Sequence, residues 1–204
     1  MPLEQPLGRR SGVFLSDGIG VIENGLPPLP DVITHESMVL IPIGYWVAPE
    51  IAVVVFFYFS EIPGLGVRPF VMTIPYYQEA GKWTFEEQGE IRGFGFPFDP
   101  VTQPERVVDL DGSQFVFSSL GRRQAKGRAP MWVATGHASR DVRYIALVQE
   151  GSEDRRRLDS HFGAWVVCTQ VREPFEVVAF DSSGQELSRL RYPHGTVGIH
   201  RDFR

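Results

Sequence analysis

An acidic and aromatic stretch between residues 83 and 99 carries the side chains that a carbohydrate-hydrolysing groove needs. Its carboxylates and rings belong to Glu86, Glu87, Glu90, Asp99, Trp83, Phe94 and Phe96. Glycoside hydrolysis uses two carboxyl groups about 5–9 Å apart. Adjacent residues of a strand point to opposite faces, so Glu86 and Glu87 do not form such a pair. A carbohydrate-active hydrolase is therefore one functional hypothesis, and a solvated acidic hairpin end is the alternative.

The rings of Phe94, Phe96 and Phe98 alternate with glycine and proline in the segment 93–98. In an extended chain all three rings project to one side and leave the opposite side nearly bare. Three phenyl rings are too much apolar area to leave in water without a reason. We predict that these rings, with Trp83, contact a partner or a ligand. The alternative is that they fill a seam between two β-rich halves of the molecule.

A compact set of positive charges predicts a contact with an anion. The four residues are Arg122, Arg123, Lys126 and Arg128, in a predicted loop over residues 121–128, and Arg155–Arg157 form a second cluster. Guanidinium groups match the geometry of phosphate oxygens. The whole chain, however, has a net charge of −5 and a pI near 5.6. This acidic balance disfavours nucleic acid as the partner. The positive cluster then either docks an anionic partner or is an ordinary solvated loop.

Metal and cysteine chemistry each have one candidate set. His194, His200 and Asp202 would share a face of an extended chain and suit zinc, but Pro193 and Gly195 interrupt such a strand. Because of this interruption, we predict no metal site.

Cys168 would need a nearby histidine to act as a nucleophile. His161 is seven residues away, on the opposite face of a regular strand, and Cys168 lies among apolar residues. We therefore predict an inert, buried thiol. The chain also has no P-loop, GxGxxG, HExxH, CxxC or GxSxG motif. No catalytic residue and no cofactor are predicted, and whether the protein is an enzyme stays open at this point, with the balance against it.

The elements that must position these residues are strands. Glycine (21) and proline (16) recur at short intervals, and almost every gap between apolar segments is 3–8 residues long. The longest apolar run, residues 51–59, is too short for a membrane helix, which needs about 20 residues, and predicts a strand buried on both faces. The sequence begins with no secretory h-region, and the single cysteine excludes an internal disulfide, so a cytoplasmic protein is expected.

The spacing predicts an all-β fold, an antiparallel sandwich built from two β-rich halves. The first, residues 1–110, is predicted to be an antiparallel meander that begins with a hairpin over residues 13–23 around Asp17-Gly18. The second, residues 111–204, is predicted to be a β-sandwich with its strongest strand over residues 164–171. Charge supports the division, because residues 1–118 carry 15 acidic and 6 basic groups whereas residues 119–204 carry 10 acidic and 14 basic groups.

Residues 130–192 resemble a family of bacterial modules. The pattern consists of Gly136, Val142-x-x-Ile145, Gly163-Ala-Trp165, Pro174, Val177-x-Ala179-x-Asp181 and Gly184. It resembles the C-terminal, immunoglobulin-like β-sandwich modules of uncharacterised proteins from GC-rich bacteria. The resemblance implies a sandwich fold for this half and no activity. The function that the sequence favours is a non-catalytic interaction or structural module, with a protein, either a second copy or another chain, as the partner.

Overall fold

The computed structural model describes residues 17–34, 39–85, 94–95, 101, 115–123, 129–170 and 174–192. The predicted all-β class is confirmed, because twelve strands, all paired antiparallel, form three sheets in these residues. The boundary proposed at residue 110 lies outside the described residues. No helix among the described residues is long and apolar enough to cross a membrane.

The first sheet is an antiparallel meander of consecutive strands. Its strands, in the order β1-β2-β3-β4 with β5 also on β3, are β1 (Ile41–Val47), β2 (Ile51–Ile62), β3 (Gly66–Glu79), β4 (Lys82–Phe85) and β5 (Phe94–Gly95). The predicted central strand is confirmed as β2, whose first seven residues are all buried. Pro42 lies in the edge strand β1 beside a register shift, where a residue without an N–H group is tolerated.

The predicted hairpin at residues 13–23 is wrong, because residues 17–24 form a helix, α1. Asp-Gly is common in tight turns, but Gly18 here lets the helix lie directly against Tyr76 of β3. Val21 of the helix joins Val54, Phe56 and Ile74 in an apolar cluster on one face of the first sheet. This burial stabilises a helix of only eight residues, a length that is marginal in isolation.

The C-terminal strands form two further sheets. The second sheet has the order β10-β7-β6, and the third has the order β12-β11-β8-β9. Their strands are β6 (Phe115–Arg123), β7 (Met131–Ala138), β8 (Tyr144–Gln149), β9 (Ser152–Arg157), β10 (Ala164–Thr169), β11 (Phe175–Phe180) and β12 (Glu186–Tyr192). The strand predicted over residues 164–171 is confirmed as β10. All six residues of β10 are buried.

One apolar core draws residues from all three sheets. It contains Phe57 of β2, Trp165 of β10 and Val177 of β11, among others. The first and second sheets meet where β1 and β2 pass close to β10. There the amide of His161 donates to the carbonyl of Ile43 at 2.8 Å, and an isolated antiparallel bridge pairs Gly44 with Ser160. This junction brings residues more than 110 positions apart in the chain into contact.

Candidate functional site

The predicted aromatic site is only partly within the described residues. Trp83 lies in β4 opposite Gln78, half-buried against the cluster under α1. The backbone of Phe94 lies opposite Val71, seven residues along β3 from Gln78, which corresponds to roughly 23 Å. Phe96, Phe98 and the carboxylates Glu86, Glu87, Glu90 and Asp99 lie outside the described residues. The structure thus separates Trp83 from Phe94, and their contact with a partner stays a prediction.

The predicted basic loop is shorter than expected. Arg122 and Arg123 belong to strand β6, where their backbones pair with Trp132 and Met131. A strand continues here because β7 provides a partner as far as Met131. Lys126 and Arg128 lie outside the described residues, so the predicted anion contact stays a prediction.

The second basic cluster, Arg155–Arg157, is split by the alternation of strand β9. Arg155 lies 3.6 Å over the ring of Phe180 and pairs with Glu153 at 2.7 Å. Arg156 points the other way, and Arg157 is exposed. The three guanidinium groups therefore do not form one anion site.

Arg156 joins the third sheet to the first. Its guanidinium donates to both carboxylate oxygens of Asp154, at 2.9 and 2.5 Å, and to the carbonyl of Val47 in β1. It also lies 4.1 Å from the centre of the Trp46 ring, which is a cation–π contact. The guanidinium thus has partners in both sheets, although 34% of the side chain stays exposed.

The cysteine and metal candidates give no reactive group among the described residues. Cys168 is buried, and burial raises the pKa of its thiol, so the thiolate form is disfavoured. The ring of His161 donates instead to the carbonyl of Pro27, at 2.8 Å. No group of three or more metal-ligating side chains occurs in the described parts of the chain. His194, His200 and Asp202 lie outside them.

Two concave sites appear that the sequence did not indicate. The first, called the seam cleft, has a volume of about 170 Å³ and lies where β1 meets β10 and the end of β9. Its lining residues are Tyr45, Trp46, Val47, Ile145, Arg156, Arg157, Leu158, Asp159, Ala164, Trp165 and Val166. At its mouth the Tyr45 hydroxyl donates to Asp159 Oδ2 at 3.3 Å.

Burial, and next the Asp159 carboxylate, raise the pKa of Tyr45, so its phenol stays protonated near neutral pH. A protonated phenol donates a hydrogen bond but cannot act as a general base. Tyr45 is therefore not a group that could remove a proton from a molecule in the cleft.

The second site, called the valine groove, has a volume of about 300 Å³. It is lined by Pro30, Val32, Ile33, Thr34, Val39, Ile41, Phe57 and Phe59. Val32 and Val39 are 73% and 49% exposed. Thr34 supplies the only polar side chain among the described residues of this lining, which otherwise offer apolar surface.

Comparison of the chain with protein-family models, with curated proteins and with solved structures gives no match. The function must therefore be inferred from the two sites themselves.

Proposed function

We propose that this protein is a non-catalytic interaction module that binds another polypeptide through the valine groove. The observation that carries the proposal is the exposure of Val32 and Val39 beside a concave apolar surface. Exposing two aliphatic side chains to water beside a groove costs free energy, and burial against a partner removes that cost. The partner is a second copy of this chain or another protein.

The lining of the groove favours a protein over a small ligand. Sites for small molecules combine apolar walls with several convergent polar groups that fix the orientation of the ligand. Among the residues that the structure describes, the lining of the valine groove has one hydroxyl and no charged side chain. An aliphatic or aromatic side chain from a partner needs no such orientation, because the rest of its interface fixes its position. An apolar side chain of a partner protein is thus the occupant that fits the chemistry of the groove.

The variant Val39→Asp tests the proposal, with Leu65→Asp as the matched control. Leu65 is 60% exposed in the turn between β2 and β3 and does not line the groove. We expect Val39→Asp to lose either concentration-dependent self-association in sedimentation velocity or one specific co-purifying protein, whereas Leu65→Asp retains it. Both variants change an exposed position, so the folded state should survive in each.

If Val39→Asp and Leu65→Asp match the wild type in self-association and in every co-purifying protein, the valine groove is not a contact surface. The same conclusion follows if the two variants lose a partner equally, because the effect would then come from added charge alone.

A further inference from the structure

Asn24, at the end of helix α1, is the only asparagine of the chain, and a glycine follows it. Its side chain is exposed. Gly25, directly after the helix, has a φ of +84°, the left-handed conformation that glycine adopts without strain and that commonly ends a helix. The side-chain amide of Asn24 is thus followed by a backbone nitrogen that no Cβ atom shields.

The chemistry open to this pair is deamidation through a cyclic imide. The backbone nitrogen of Gly25 attacks Cγ of Asn24, the Cγ–Nδ2 bond breaks, and the nitrogen leaves as ammonia, which takes up a proton equivalent to the one that Gly25 loses to solvent. Water then opens the five-membered ring at either carbonyl and gives aspartate or isoaspartate. Because the attack is intramolecular, no enzyme is needed to bring the two groups together.

Two hydrogen bonds restrain the reacting groups in the folded helix. The amide of Gly25 donates to the carbonyl of Val21 at 2.9 Å, and Nδ2 of Asn24 donates to the carbonyl of Gly20 at 3.1 Å. Both bonds belong to the last turn of α1, and helix ends open more readily than the interior of a fold. The reaction therefore requires that this one turn opens, and does not require that the protein unfolds.

From this arrangement we propose that Asn24 is a site of spontaneous deamidation in the folded protein, with a rate determined by opening of the last turn of α1. The product carries a carboxylate at the C-terminal end of a helix, where the helix dipole disfavours a negative charge. It also lacks the Nδ2 donor to Gly20. Isoaspartate adds one backbone atom, so the bond from Gly25 to Val21 is lost as well. The modification thus loosens the attachment of α1 to the segment 25–34, which supplies Pro30 and Val32 to the valine groove.

The test incubates the full chain under native conditions at mildly alkaline pH, which favours loss of the Gly25 amide proton. We expect the peptide that contains residue 24 to gain the mass difference between an amide and an acid, with release of an equal amount of ammonia. Asn24→Gln is the matched control and should keep its mass over the same time, because its side chain must close a larger ring.

A second pair of variants tests the control by α1. A Cβ atom on Gly18 would lie 1.7 Å from the Tyr76 hydroxyl oxygen, so Gly18→Ala loosens the helix, whereas a Cβ atom on Gly20 meets nothing within 4 Å. We expect Gly18→Ala to speed the deamidation by roughly fivefold or more, and Gly20→Ala to leave its rate unchanged or lower it.

Native chains that keep their mass overturn the proposal, and conversion of the same chains in urea would then show that global unfolding is required. Equal rates in Gly18→Ala and Gly20→Ala also overturn it, since α1 then does not control the reaction. A mass gain that persists in Asn24→Gln places the modification elsewhere. None of these outcomes depends on a partner in the valine groove, so this proposal and the proposed function stand or fall separately.

Discussion

Arg156 contacts both the third sheet and the first. Because it donates to Asp154 and to the carbonyl of Val47 while lying over Trp46, one planar cation fixes the edge strand of the third sheet to that of the first. A lysine keeps the charge but has neither the forked geometry nor the flat face for these contacts.

We expect Arg156→Lys to lower the free energy of unfolding by about 1–2 kcal/mol. The neighbouring substitution Arg157→Lys, on the exposed side of β9, should change it by less than about 0.5 kcal/mol. Urea titration of both variants provides the measurement. Equal midpoints for the two would show that the contacts of Arg156 do not stabilise the fold.

The buried imidazole of His137 makes stability depend on pH. Burial lowers the pKa of His137 from 6.5 to about 4, so the folded protein holds the ring neutral. Unfolding releases the ring into water, where it binds a proton below pH 6.5. Above pH 6.5 the ring is neutral in both states, and the free energy of unfolding is unaffected by it. As the pH falls from 6.5 towards 4, the free energy of unfolding decreases, and below pH 4 this group lowers it no further.

The loss of stability across this window should be about 3 kcal/mol. It can be measured as the change in urea midpoint between pH 7 and pH 4.5, together with an NMR titration of the His137 ring in the folded state. A ring resonance that titrates near pH 6.5 in the native protein would contradict the expectation.

At the scale of elements, α1 depends on one glycine for its position. A Cβ atom on Gly18 would lie 1.7 Å from the Tyr76 hydroxyl oxygen, whereas a Cβ atom on Gly20 would meet nothing within 4 Å. Tyr76 is fully buried and packs against Phe85, so it cannot move aside cheaply. The helix therefore approaches the sheet as closely as it does only without a side chain at position 18.

Gly18→Ala should destabilise the protein by about 1–3 kcal/mol, because the helix must shift away from the sheet. Gly20→Ala should be neutral or stabilising by up to about 1 kcal/mol, because alanine favours the helix. Thermal unfolding of the pair gives the comparison. A Gly18→Ala variant as stable as Gly20→Ala would mean that α1 does not pack against Tyr76.

Strand β2 is buried on both faces, and a charged side chain on either face should destabilise the folded protein. Val54 points into the cluster under α1, and Val55 points into the core shared by the three sheets. An unpaired buried carboxylate costs several kcal/mol, which is comparable to the stability of a whole domain. We expect Val54→Asp and Val55→Asp each to abolish soluble folded protein, measured by expression yield and circular dichroism.

The control for these two variants is Ser60→Asp, near the half-buried end of the same strand. It should express as the wild type does. A normal yield of Val54→Asp or of Val55→Asp would show that the face of β2 carrying the substituted residue is not buried as predicted.

At the scale of the whole molecule, the shared core predicts cooperative unfolding. Phe57, Trp165 and Val177 belong to one continuous cluster although they come from three sheets. We expect a single calorimetric transition whose van't Hoff enthalpy equals the calorimetric enthalpy. Two resolved transitions would instead support the division of the chain near residue 110.

Local patterns predicted the strands well but gave no indication of the seam cleft or the valine groove. The apolar runs of β2 and β10 were sufficient because a strand is a short-range pattern of side chains. The helix α1 was missed because eight residues give too little periodicity to outweigh an Asp-Gly turn signal. No pattern joins Tyr45 to Asp159, since they are 114 positions apart and meet only through the junction of the first two sheets.

That junction also determines when, during synthesis, the core between the first two sheets can form. Strand β2 ends at Ile62, and β10, which lies beside it, begins at Ala164. At about 5–20 residues per second, the ribosome needs roughly 5–20 s to make the intervening hundred residues. Throughout that interval the apolar face of the nascent first sheet has no partner from β10. We therefore expect the newly made chain to be prone to aggregation through this face until its C-terminal third emerges.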